Sequence, residues 1–84
     1  MYLLRILAQS RKEAIHDARA LVESQRTIAT GKSELITNLR KIFYSVQYCS
    51  ELGRNPFERS YYMVVCEQIE YHITMIAEDR TNAA

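Results

Sequence analysis

Residues 61–76 read YYMVVCEQIEYHITMI, a run that is apolar around most of a helix and also holds a histidine, a cysteine and three tyrosines. At about 100° per residue, Tyr62, Val65, Cys66, Ile69, Ile73 and Ile76 fall on one stripe. Phe57, Tyr61, Val64, Tyr71 and Met75 fall on a second stripe well round the helix, and His72 lies between the two. Only the wedge with Arg59, Glu67, Glu70, Thr74 and Glu78 reads as solvated. A helix with so wide an apolar circumference is either central in a bundle or shared between subunits. The tyrosine-rich second stripe is the better candidate for a partner surface, because amphipathic aromatics suit a face that is wet when free and covered when bound.

This helix has a sharp beginning. In GRNPFE, residues 53–58, Gly53 suits the left-handed position after a helix end, Asn55 is a good N-cap, Pro56 fits the first helical position and Glu58 sits three residues after the cap. The preceding helix therefore stops at about Leu52, and the third runs from Pro56 to about Asp79. Further back, TGKSE at 30–34 marks another boundary, with Thr30 or Ser33 as cap and Gly31 as breaker. From about Ser33 to Leu52, Leu35, Ile36, Leu39, Ile42, Phe43, Val46 and Cys49 make one buried face, with Arg40, Lys41, Tyr44 and Tyr48 opposite.

The N-terminus admits two readings. SRKE at 10–13 has the form of a capping box, which would leave residues 2–8 outside the helix as a short strand with Tyr2, Leu4 and Ile6 on one side. Without that cap, Leu3, Leu4, Leu7, Ala14, Ile15, Ala18, Leu21 and Val22 form the stripe of one helix running to about Gln25. The helix is favoured, because a lone strand finds no partner except TIAT at 27–30 or another subunit. The expected fold is a single all-α domain over residues 1–84, a three-helix bundle whose second and third helices form an antiparallel hairpin.

Composition bounds the function. Eighty-four residues bury a small core, and short chains commonly gain stability by burying apolar surface between copies. The apolar share of 48% is too high for a disordered chain, while two glycines and one proline leave few places to turn. A net charge of +1 gives no global attraction to nucleic acid or membrane. The longest apolar run, Tyr61 to Cys66, is far short of the ~20 residues that span a bilayer, and MYLLRILA lacks the plan of a signal peptide. With two cysteines in no metal or redox spacing, the expected location is cytoplasmic.

Motifs for chemistry are incomplete. Gly31, Lys32 and Ser33 end like a phosphate-binding loop, but Arg26 stands where that loop needs its first glycine. Glu13, His16 and Asp17 have half of a di-iron spacing and face away from the apolar stripe, whereas bundle metal sites point inward. Cys66 and His72 differ in direction by about 120° on their helix, and Cys49 lies on the order of 10 Å from Cys66 along the hairpin. Two buried thiols and a core-edge histidine are the expected outcome, with no enzyme activity, metal or cofactor.

Two surfaces remain. Arg5, Lys12, Arg19 and Arg26 recur every seven residues on one side of the first helix and are candidate phosphate contacts for a nucleic-acid partner. Tyr44 and Tyr48, one turn apart beside Arg40 and Lys41, have the residue types of interface anchors. The expected function is binding rather than catalysis: a small regulator or inhibitor that occupies a protein partner and self-associates, as a homodimer or higher oligomer, through Phe57, Tyr61, Val64, Tyr71 and Met75, with Tyr44, Tyr48 and Arg40 beside them. By analogy of size alone, such chains often come from phages or mobile elements.

Overall fold

The computed structural model describes residues 2–78, with side chains from residue 9 onward. The chain forms three helices: α1 over Tyr2–Ile28, α2 over Lys32–Leu52 and α3 over Pro56–Ala77. The N-terminus is helix, the favoured of its two readings, and SRKE lies inside it. Continuity follows from sequence, since residues 2–28 contain neither glycine nor proline and the apolar spacing never changes period. α1 also runs three residues beyond its expected end at Gln25, with Ala29 N–H still donating to the Gln25 carbonyl at 2.8 Å.

The α2–α3 connection has the expected cap. Asn55 Oδ1 accepts from the Glu58 N–H at 2.9 Å, and Glu58 Oε2 accepts from the Arg54 N–H at 3.3 Å, while Pro56 occupies the first turn, where its missing donor costs nothing. Gly53 differs from expectation. Its backbone is extended at φ −55°, ψ 129°, not left-handed. A Cβ there would come within 2.6 Å of Arg59 Cγ, so glycine is required by the close passage of the Arg59 stem.

The α1–α2 connection also departs from the sequence reading. Gly31 itself is the N-cap and makes no side-chain bond, while Glu34 reaches back to the hydroxyl and backbone N–H of Thr30. Neither Thr30 nor Ser33 caps α2, because helix geometry begins at Lys32 and Glu34 sits where its carboxylate meets the preceding chain. These hydrogen bonds hold the Glu34 carboxyl below its ordinary pKa.

The core gathers Ala14, Ala18 and Val22 from α1, Leu35 and Leu39 from α2, and Val64, Val65, Ile69 and Ile76 from α3. α3 packs along both other helices, whereas α1 and α2 scarcely meet. α2 runs antiparallel to α3: Phe43 meets Cys66, and Arg40 shares a hollow with Glu70 as Gln47 does with Met63. α1 runs parallel to α3, with Asp17 beside Tyr61 and Arg26 near His72. Both stripes of α3 therefore contribute to the core, Val64 from one and Val65, Ile69 and Ile76 from the other. Cys49, expected in the core, is exposed because it lies on a flank of α2 that α1 does not cover.

Candidate functional site

Side chains expected on a partner surface separate into two groups. Val64 is 6% exposed and belongs to the core, and Tyr61 packs against that core. Phe57 and Met75 are half-buried. The second stripe of α3 is largely taken by α1, so the circumference that suggested an oligomer through α3 is satisfied mostly within the chain. Tyr71 is the exception, at 54% exposed.

On α2 the outward face is free. Arg40, Tyr44, Tyr48 and Leu52 follow at four-residue spacing, the period that keeps side chains on one side of a helix. Tyr44 is 65%, Tyr48 63% and Leu52 62% exposed. Tyr44 is held edge to face against the half-buried Phe43, with centroids 5.5 Å apart and planes at 78°. Leu52 was not singled out from sequence, although its i+4 relation to Tyr48 was a usable signal.

A second feature is a groove of about 490 Å³ between α1 and the first turns of α3, lined by Gln9, Ser10, Glu13, Phe57, Glu58, Tyr61 and Tyr62. Its base is tied by the hydroxyl of Tyr61, which donates to the carboxylate of Asp17. That bond and a contact with His16 at 3.4 Å hold Asp17 below its ordinary pKa. Glu13, His16 and Asp17 are all exposed, as expected, and Asp17 lies in addition at the edge where α1 meets α3. No signal in the sequence pairs residues 44 positions apart.

Of the candidate phosphate contacts, Arg5 lies outside the described side chains. Lys12 and Arg19 are exposed on α1. Arg26 is half-buried, its Nε 3.5 Å from Glu23 Oε1 without hydrogen-bond alignment. Burial, with Arg26 and Arg19 adding, pushes the His72 pKa down, opposed by Glu23. The stripe thus presents two of its described cations to solvent and turns the third toward α3.

Cys66 donates its S–H to the Phe43 carbonyl at 3.8 Å, and burial pushes its thiol pKa up, with Cys49 adding. A raised pKa keeps the thiol protonated and poorly nucleophilic at neutral pH. Among the described residues, no three His, Cys, Asp or Glu side chains gather as metal ligands, and no helix is long and apolar enough to cross a membrane. Compared with protein families, curated proteins and solved structures, the chain matches none.

Proposed function

We propose that the chain is a small binding protein that regulates or inhibits a protein partner by occupying it, with the outward stripe of α2 as its docking face. The observation that supports this reading is the run Tyr44, Tyr48 and Leu52, each more than three-fifths exposed and aligned on the same side of α2 as Arg40. Tyrosine and arginine carry a large share of binding energy at protein interfaces, and a tyrosine ring adds contact area at low entropic cost. Partial exposure of three large apolar groups in a row is a standing desolvation gain for whatever covers them.

Self-association moves with the exposed surface. It was expected through α3, where Tyr71 and Met63 stay exposed, but among the described residues the more open aromatic pair, Tyr44 and Tyr48, is on α2, and a second copy docks there. The double variant Tyr44→Ser, Tyr48→Ser changes only exposed positions and leaves the fold intact, since such surface changes stay within about 0.5 kcal/mol. Sedimentation at micromolar concentration and capture of host proteins on immobilised chain are then compared for the two forms. Association or capture by the wild type that the double variant loses supports the reading; equal behaviour of the two forms overturns it.

A further inference from the structure

The groove between α1 and α3 has a chemistry that the α2 stripe lacks. Its walls are the rings of Phe57, Tyr61 and Tyr62, the two tyrosines set edge to face with centroids 5.3 Å apart and planes at 76°. Its rim carries one carboxylate from each helix, Glu13 from α1 and Glu58 from α3, and no Lys or Arg is among its described lining residues. At about 490 Å³ it lies in the range of pockets that hold side chains and small ligands.

Both carboxylates are held in place. Glu13 Oε1 accepts from Gln9 Nε2 at 3.3 Å, and Glu58 Oε2 accepts from the Arg54 N–H at 3.3 Å and Asn55 Nδ2 at 3.4 Å. These bonds use one oxygen of each group, and a carboxylate has acceptor capacity left on the second. Aromatic faces and carboxylates attract the same kind of group, since the ring face is negative and the carboxylate carries full charge. The Tyr61 phenol is pushed up to about 12 by burial first, then by its bond to Asp17 and the charge of Asp17, with Tyr62 and Glu13 adding least.

The geometry points to the guanidinium of an arginine in a partner peptide as the occupant of this groove, stacked on a tyrosine ring with its N–H groups shared between Glu13 and Glu58. The charge complementarity selects a cation, and the arrangement selects which one. Two carboxylates on different helices call for donors that diverge, and a planar fork of five N–H groups supplies them while stacking on an aromatic face. An ammonium is a compact, strongly hydrated point charge and loses more water to reach the same place. This site is separate from the α2 stripe, and the failure of either leaves the other standing.

The test is a titration of the isotope-labelled chain followed by amide NMR shifts, using a blocked Gly-Arg-Gly peptide, the same peptide with citrulline for arginine, and agmatine. Saturable, salt-sensitive shifts confined to the groove with the arginine peptide and agmatine, none with citrulline, and affinity weakened about threefold or more in Glu13→Gln support the site. Glu13 is exposed, so that variant keeps the fold. No saturation at tens of millimolar, an equal response to citrulline, shifts centred on Glu67 and Glu70, or an unchanged affinity in Glu13→Gln would overturn it. Binding of agmatine without the peptide would overturn the assignment to a peptide.

Discussion

The two seams on α3 are built differently. Toward α2, large apolar side chains dominate: Leu35 and Leu39 are buried, Ile36, Ile42, Phe43 and Val46 pack against the core, and Phe43 lies beside Cys66. Toward α1, the buried contributions are Ala14, Ala18 and Val22, one every four residues, and a polar border runs beside them with Asp17 on Tyr61 and Arg26 near His72. Small residues in a row allow two helices to approach closely but bury little area each. The α2 seam is held by volume, and the α1 seam by fit and charge. The first should therefore respond to cavities and the second to steric excess and pH.

The largest effect belongs to the α2 seam. Leu39→Ala or Ile69→Ala, both at positions with no exposed surface, is expected to cost about 2–5 kcal/mol in denaturant unfolding, a large part of the stability of so short a chain. Ala18→Leu addresses the other seam. It adds volume where none is exposed and is expected to cost about 1–3 kcal/mol, while the hairpin keeps its helicity by circular dichroism. If Ala18→Leu proved neutral, the close fit of α1 on α3 would be disproved.

Acid should separate the seams further. His72 titrates lower in the fold than free histidine, chiefly from burial, then from Arg26 and Arg19, so the folded state prefers it neutral. Stability from this preference is present above the ordinary value of 6.5 and is lost as pH falls through the lower folded value. His72→Gln is expected to flatten the change in urea midpoint between pH 7 and pH 5. Asp17 acts in the same direction at lower pH: its contribution is present above 3.8 and is lost as pH falls through its lowered folded value. The smallest effect is expected from Tyr61→Phe, which keeps the ring and removes the hydroxyl. It should lower stability slightly at neutral pH and shrink the fall in urea midpoint between neutral pH and pH below 4, the two forms converging in acid, while the His16 contact keeps part of the Asp17 effect.

Legibility in the sequence followed the same division. Hairpin ends were plain because Asn55, Pro56 and Glu58 each act on backbone groups within a few residues, and the apolar period of α2 is local too. Two glycines were placed correctly at boundaries but for other reasons, since Gly53 yields to Arg59 and Gly31 caps without a side chain. Those reasons depend on how the chain passes over itself. The wide apolar girth of α3 was visible, and the alternatives of a central helix or a shared one were both open. Deciding between them required knowing that α1 lies parallel along α3, which follows from packing of alanines that carry little signal alone. The groove joins residues near positions 10 and 60 and was invisible for the same reason.

That α1 leans on α3 and scarcely on α2 also sets an order in time. The hairpin closes across a three-residue connection, whereas α1 must wait for the whole of α2 to be traversed before its partner arrives, a costlier loop. Refolding should then begin with α2 on α3 and finish when α1 arrives. In a stopped-flow chevron, Leu39→Ala would slow the folding arm and Ala18→Leu would steepen the loss through the unfolding arm.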